Sequence, residues 1–335
     1  MTTERTLLQE RLIAIIRRFP QRKVLVVGDS VADRFIFGAI GRVSREAPVF
    51  ILRHEHTETT PGGAANCAMN LAALGASVSL ISIAGEDEAG RALAENLQSA
   101  GVDCSGLVTS AGLQTTTKVR ILAGQAHSTR QQVIRIDYEG QPLSDFRLRR
   151  TILENVVKAA AAADAVIISD YNYGVVNPEV AAAIRETANA RGIPVLVDSR
   201  FQLSNYAGFT SATPNEEEVE TLLGKVLEEG ELNAAGQELR DRLGHRALLV
   251  TRGRLGLILF EEGVEPLAIA AVGAREPVDG TGAGDTVIAT YTLALASDAS
   301  FPDAARLANY AGGLVVMKRG TATITSEELI ESLRR

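Results

Sequence analysis

The chain has 335 residues, 46% hydrophobic and 22% charged, which is enough apolar material to bury a sizeable core. Its formal net charge of −7, with 4% aromatics and no Trp, is the wrong sign and too poor in rings for a general nucleic-acid binder. Cys67 and Cys104 are its only cysteines, too few for a disulfide framework or a cysteine-rich metal site, and they fit a reducing, cytoplasmic compartment. Residues 1–20 read as an amphipathic helix, with Glu4, Arg5, Glu10, Arg11, Arg17 and Arg18 set among apolar positions; a signal peptide needs an uninterrupted apolar run. Residues 23–28 (KVLVVG) read as a buried strand. The spacing then predicts a small-residue helix over 63–74, a strand over 77–84 and a helix over 88–100. The most apolar stretch, 159–168, is broken by Asp164 and too short to span a bilayer. A strand at 165–169, a helix at 178–191 and a strand at 194–198 form a βαβ succession. A strand at 247–250 and helices at 283–296, 302–317 and 326–334 complete the series.

Strands alternating with helices argue an α/β fold: a mostly parallel sheet with helices on both faces and binding sites beyond the carboxyl ends of its strands. Residues 34–60 and 115–137 break the rhythm, because β-type alternation runs there without helices. They are expected to form a small antiparallel sheet that closes over a ligand as a lid; decorative hairpins and a dimer contact are the alternatives. No internal repeat or low-complexity linker divides the chain, so residues 1–335 are read as a single domain.

The most informative chemistry lies at 278–286, VDGTGAGDT, where glycines crowd a turn that runs directly into an apolar helix. Small residues let the backbone N–H groups of Gly282, Ala283 and Gly284 converge on an anion, and a helix start adds a favourable dipole. Asp285 would stand beside a bound phosphate, where an aspartate can take the proton of an acceptor hydroxyl. An isolated motif of this kind is more often a tight turn with a capped helix. It is neither a dinucleotide fingerprint, which opens the first βα unit, nor a Walker A loop, since no GK[ST] follows.

VDGTGAGDT resembles the carboxyl-terminal signature of the ribokinase-like, or phosphofructokinase B type, carbohydrate kinases. Residues 61–68, PGGAANCA, resemble the amino-terminal one, and the likeness runs from Lys23 to about Thr325. Within that family, GDSVADRFIFG, GRVSREAPVF, TTTKVRIL, VIRIDYE and IISDY are most similar to the bacterial heptose-7-phosphate kinases of lipopolysaccharide-core precursor synthesis. Bifunctional members carry a nucleotidyltransferase domain after the kinase; this chain is expected to be a kinase-only form or a kinase excised from a longer one. The resemblance implies Mg-ATP as phosphoryl donor, a sugar phosphate as acceptor, neither nucleic acid nor membrane as partner, and a homodimer formed through the lid.

It also implies roles. Asp285 is the base, with Gly282, Ala283 and Gly284 as the anion hole. Asp33 meets sugar hydroxyls, beside the sugar-facing loop of Gly62, Gly63 and Asn66. Asn215 and Glu218 form an N-x-x-E element that orders Mg²⁺-bound waters; a capped acidic helix turn would explain the same residues. Thr251, Gly253 and Gly256, with Gly282, flank the nucleotide. Asp279, with Thr281, Lys318 and Gly320, falls where related kinases hold a monovalent cation such as K⁺. For the acceptor's phosphate the lid offers Lys118 and Arg120, with Arg34, Arg42, Arg45, Arg130 and Arg135 as further candidates and Arg200 from the main domain. Three positions depart from the family: Gly280 replaces a Thr, Tyr173 stands where heptose kinases carry Lys, and Asp198-Ser199-Arg200 replaces Asp-Pro-Lys. His54, His56, His127 and His245 have no metal-ligand spacing, and Cys67 reads as a buried small hydrophobe. Two other readings stay open: a kinase of the same fold for a pentose, ketohexose phosphate or keto-deoxy sugar acid, and a sugar- or nucleotide-binding regulator without turnover.

Overall fold

The computed structural model describes residues 2–124, 130–228, 230–273 and 277–335; part of the second lid segment, with His127, lies outside them. In chain order the elements are α1 (Thr2–Ile16), β1 (Lys23–Gly28), β2 (Ser30–Val43), β3 (Phe50–Gly63), α2 (Ala64–Ala73), β4 (Ser77–Gly85), α3 (Glu88–Ser99) and β5 (Asp103–Ser110). There follow β6 (Thr117–Gly124), β7 (Gln131–Tyr138), α4 (Phe146–Ala160), β8 (Ala165–Asp170), α5 (Pro178–Arg191), β9 (Val195–Ser199), β10 (Ser211–Ala212) and α6 (Glu216–Leu223). The series ends with α7 (Leu232–Leu243), β11 (Ala247–Thr251), β12 (Leu257–Glu261), β13 (Leu267–Ile269), α8 (Ala283–Ala296), α9 (Phe301–Val315) and α10 (Ser326–Arg334).

The main sheet runs β13-β12-β11-β10-β9-β8-β1-β4-β5. Its strands are parallel from β5 to β11, and β12 and β13 add antiparallel at one edge. Helices cover both faces, which is why every residue of β8 is buried and its first four residues, Ala165 to Ile168, are a continuous apolar run rather than an alternating one. Alternate β1 residues point to different cores. Val24 and Val26 join Leu71, Tyr291 and Leu307 of α2, α8 and α9. Leu25 and Val27 join Ile152, Ile184 and Leu239 of α4, α5 and α7. Leu71 has no exposed surface, so its truncation to Ala would cost about 2–5 kcal/mol. Helix α8 is buried on every side from Asp285 to Ala294, and after its first turn it carries no charged side chain. No helix among the described residues is long and apolar enough to cross a membrane.

The lid is a four-stranded sheet, β3-β2-β6-β7, entered from the main sheet after β1 and again after β5. The antiparallel expectation holds for β2–β3 and β6–β7 but not for the central pair, because β2 and β6 run parallel. Both leave the main sheet at the carboxyl ends of parallel strands and so point outward together; a hairpin cannot join them, and the crossover through α2, β4, α3 and β5 does. Side-chain alternation then sorts the lid's faces. Asp33 lies opposite Lys118, Phe35 opposite Arg120, and Arg120 opposite Arg135, so these share one face. Arg34, Val119, Ile121 and Ile136 line the other, with Glu88 of α3.

Candidate active site

The carboxyl ends of β1, β8, β9 and β11 converge on the amino-terminal ends of α2 and α8. Asp285, in the first turn of α8, is 5% exposed. Its Oδ2 accepts a hydrogen bond from Asn66 Nδ2 at 2.8 Å. Its Oδ1 accepts from Tyr171 Oη at 3.2 Å and from Cys67 Sγ at 3.5 Å. Burial pushes the Asp285 carboxyl up to about 6, against these three bonds, which favour its charged form. A buried relay fixes the two helices: Asn70 Nδ2 donates to the Asn66 carbonyl at 2.9 Å, and Thr286 Oγ1 donates to Asn70 Oδ1 at 2.9 Å.

Gly282 precedes α8 with φ 76°, and a Cβ there would sit 2.5 Å from Asn66 Nδ2. Glycine thus supplies the left-handed turn and the room that lets Asn66 reach the carboxylate. The Ala283 N–H is taken by the Gly280 carbonyl at 3.2 Å, so it is engaged within the turn. The N–H groups of Gly284 and Asp285 have no acceptor among the described residues, and no atom lies within 4 Å of where a Gly284 Cβ would be. Open space and free donors meet at a helix start, the arrangement that binds phosphate.

On the side of β11 and β12, a cavity of about 350 Å³ is lined by Gly253, Gly256, Ala283, Gly284, Val287 and Asn309. Gly256 has φ 95°, and a Cβ there would collide with the Ile269 carbonyl oxygen at 2.1 Å. Thr251 and Gly284 also border a second cavity of about 230 Å³, whose wall includes Tyr171, Asp198, Arg200, Asn215 and Glu218. The sequence left Asn215 and Glu218 with two readings, of which the capped helix turn is observed. They form a reciprocal capping box on α6, at 2.8 and 3.0 Å, and they face this cavity. Burial raises the Glu218 carboxyl, against the Asn215 N–H and Arg200. Burial, then the charges of Asp285 and Glu218, push Asp198 well above its usual range. Crowded carboxyls of this kind suit a cation. No group of three or more His, Cys, Asp or Glu side chains among the described residues is placed to hold a metal directly.

On the lid side, Asp33 pairs with Arg120, and Lys118 Nζ stands 5.4 Å from the centre of the Tyr171 ring. Burial raises the Asp33 carboxyl despite Arg120, and burial lowers the Lys118 ammonium despite Asp33. A Cβ on Gly62 would sit 2.4 Å from Asp33 Oδ2, so only glycine admits that carboxylate. Gly63 has φ 57°, and a Cβ there would sit 2.6 Å from the Asp29 carbonyl oxygen and 3.3 Å from the Tyr171 ring. The remaining lid cations diverge. Arg34 pairs with Glu88 on the far face and Arg130 with Glu55, while Arg42 and Arg45 are exposed. Arg135 pairs with Asp137 at 2.9 Å on the face that carries Lys118 and Arg120.

Asp279 lies apart from Asp285 and its three hydrogen-bond donors. Its oxygens accept the N–H groups of Thr281 and Gly320, each at 2.9 Å, and these bonds outweigh burial to hold its carboxyl below the usual range. Lys318 Nζ is turned away to Glu328 at 2.7 Å. Sequence reasoning gave no role to Tyr171, Asp198 or Asp29. The Asp29 carboxylate accepts the N–H groups of Tyr171, Tyr173 and Val175 at 2.9, 3.0 and 3.1 Å and so shapes the loop that presents Tyr171. The SDY triplet was the available signal for Tyr171, but nothing local ties it to a residue 114 positions away. The largest cavity described, about 430 Å³, opens elsewhere, between Ser30, Gln114 and Gln141, and does not include Asp285.

Free N–H donors beside a carboxylate, under a lid rich in polar groups, can hold a phosphoryl group against a hydroxyl and take that hydroxyl's proton; the class of protein this defines is a kinase. The chain belongs to the pfkB family of carbohydrate kinases, phosphotransferases acting on a sugar hydroxyl, which it matches over residues 21–328. It is 42% identical over 320 residues to the bifunctional protein HldE of Pseudomonas aeruginosa, covering 95% of this chain and 65% of that protein. It is 44% identical to HldE of Aeromonas hydrophila, covering 94% of this chain and 64% of the relative. The chain therefore spans about two thirds of the length of these relatives. Among solved structures it is similar to Arabidopsis thaliana ribokinase complexed with ribose and ATP, at TM-score 0.73 and 22% identity over 94% of this chain and 99% of the other. Escherichia coli phosphofructokinase-2 in complex with substrates and products gives TM-score 0.76 and 21% identity over 93% and 98%. These two likenesses bear on the ribokinase-like fold.

Proposed function

We propose that residues 1–335 act as one kinase unit that transfers the γ-phosphoryl group of Mg-ATP to O1 of D-glycero-D-manno-heptose 7-phosphate. The product is the 1,7-bisphosphate, a precursor on the way to ADP-heptose for the lipopolysaccharide core. The observation that carries the kinase reading is Asp285: a buried, triply hydrogen-bonded carboxylate at a helix start with free N–H donors, between the Gly253–Gly256 cavity and the Asp33–Lys118 face of the lid.

Asp285 removes the proton of the acceptor hydroxyl. The hydroxyl oxygen then bonds to the γ-phosphorus as the bridging P–O bond breaks, with its electron pair leaving on ADP. Gly284 and Asp285 N–H groups meet the transferring phosphoryl oxygens, and Gly282 provides the turn. Arg200 lies across the 230 Å³ cavity from Gly284 and supplies a positive charge there. Glu218, Asn215 and Asp198 would hold Mg²⁺ through its water shell, and their oxygen chemistry suits it. Bound magnesium would neutralise triphosphate charge. For K⁺ at Asp279 the resemblance is the only support, since both carboxylate oxygens already accept backbone N–H groups.

For the acceptor's own phosphate we assign Lys118 and Arg135, with Arg120 fixing Asp33 against the sugar hydroxyls. The heptose assignment is supported by the GRVSREAPVF and VIRIDYE stretches, which build the lid's tip and β7, and by the likeness to the HldE proteins. The lid's exposed apolar residues Ile134, Ile136 and Tyr138 support pairing with a second copy of the chain. ADP release measured with a panel of sugars and sugar phosphates tests the function. Fastest turnover with heptose 7-phosphate is expected; faster turnover of an unphosphorylated sugar would remove the heptose assignment and leave the kinase.

A further inference from the structure

We infer that Tyr171 and Cys67 are positioning residues that occupy Oδ1 of Asp285 and so make Oδ2 the oxygen that receives the sugar proton. This rests on the reading of Asp285 as the base. A carboxylate has about four lone-pair sites, two on each oxygen. Oδ1 accepts from Tyr171 Oη and from Cys67 Sγ, which uses both. Oδ2 accepts from Asn66 alone among the described residues. One lone pair therefore stays free, and it belongs to Oδ2. In the transfer, the sugar O–H bond breaks and its proton adds to Oδ2. The oxygen's pair bonds to the γ-phosphorus as the P–O bond to ADP breaks, its pair leaving with ADP.

The two donors are suited to permanent duty. Cys67 has no exposed surface, and burial followed by the charge of Asp285 pushes its thiol well up, so it remains an S–H donor. The Tyr171 hydroxyl is pushed up for the same reasons and remains O–H. Both are mechanically held. Cys67 follows Asn66 on α2, and one helical step rotates consecutive side chains by about 100°, so the pair grips the carboxylate from two sides. Tyr171 is fixed by its own N–H to Asp29 Oδ2 at 2.9 Å, and its ring lies 3.3 Å from where a Cβ on Gly63 would sit. The charged groups facing this cluster are Asp33 on β2, Lys118 and Arg120 on β6, Asp170 on β8, Asp198 and Arg200 at the end of β9, and Glu218 on α6. None of them bonds Asp285 directly, so the hydrogen bonds from Asn66, Cys67 and Tyr171 set its orientation.

The test compares Tyr171→Phe, Cys67→Val and Cys67→Ser in the full chain. Two readouts are used: the ¹³Cγ titration of Asp285 without substrate, its signal identified by loss in Asp285→Asn, and kcat/KM against pH. Removing a donor to the charged form raises the carboxyl, so Tyr171→Phe is expected to move the titration up by about one pH unit. Cys67→Val should move it up by less, and Cys67→Ser, which keeps a donor, should leave it near the parent value. At pH 6 a rise of one unit lowers the ionised fraction from about a half to about a tenth, a loss of about five-fold in kcat with the KM for ATP unchanged. An unmoved titration in both donor-removing variants overturns the inference, as does a rate loss seen only in KM. Should Cys67→Val fail to fold, Tyr171→Phe alone decides. If Asp285→Asn keeps its turnover, the base reading fails, and the substrate-free titration still reports separately whether the two donors hold Oδ1.

Discussion

The floor of the cleft and its lid are built by opposite means. At the floor, Asp285, Asn66, Asn70 and Thr286 are at most 5% exposed and bonded to one another between two packed helices. In the lid, every residue of β7 is exposed, and its one cation, Arg135, pairs with Asp137 near the surface; toward the base of the lid Asp33 and Lys118 are buried, with Arg120 paired to Asp33. The floor is thus held by buried side chains hydrogen-bonded to one another, which cost a great deal to disturb. The lid is held by strand pairing along one narrow ribbon. The difference teaches a division of labour on the proposed function: chemistry that tolerates little displacement is assigned to the core, and acceptor recognition to the more exposed lid.

Substitutions in the two regions should therefore fail differently. The largest effect is expected for Asp285→Asn, a loss of about 10²–10⁴-fold in turnover with ATP binding retained by calorimetry. Near-parental turnover would put the base elsewhere and erase the contrast. Next comes Lys118→Ala or Arg135→Ala in the lid. Each should raise KM for the sugar phosphate by about 10–150-fold, from the loss of about 1.5–3 kcal/mol per charge-assisted bond, and leave KM for ATP alone. An equal rise in both constants would mean that the lid also shapes the floor. Gly282→Ala forces a left-handed residue and crowds Asn66, so it should lower stability by about 1–2 kcal/mol in a denaturant titration and depress kcat as well. Stability lost without any change in rate would detach Asn66 from the mechanism. Glu218→Gln should raise the Mg²⁺ concentration for half-maximal rate; a melting-point loss equivalent to about 0.3–1 kcal/mol with unchanged Mg²⁺ dependence would leave it a cap only. The smallest effect belongs to Arg34→Ala, whose surface pair with Glu88 is worth about 0–1 kcal/mol and whose face points away from the acceptor, so its KM should stay parental.

Much of this architecture was readable residue by residue. The run at 165–169 announced a strand buried on both faces, and the helix over 283–296 came out as expected because after Asp285 its sequence carries no charged residue. Other elements escaped. The edge strand β5, DCSGLVTS, carries few apolar residues and buries only Gly106, and α4 carries three arginines, a lysine and a glutamate on an exposed face that masks its buried Ile152 and Val156. The site divided along the same line. Gly282, Asp285, Gly62 and Asn66 were legible because glycine turns at helix starts have a local steric cause. Tyr171 and Cys67 were not, since a phenol or a thiol acquires its role only from what it meets.

The sequence by itself determined the α/β rhythm, the lid segments and the two glycine turns, since each depends on periodicity or backbone freedom within a few residues. Tertiary structure alone decided which lid cations face Asp33, that β2 and β6 run parallel, and that Asn215 and Glu218 both cap a helix and line a cavity. It also decided that Asn66 would meet Asp285 across 219 positions of chain. Such contacts are fixed by the packing of α2 on α8 across a common core, and a hydrogen bond made at that distance leaves no period in the sequence to read.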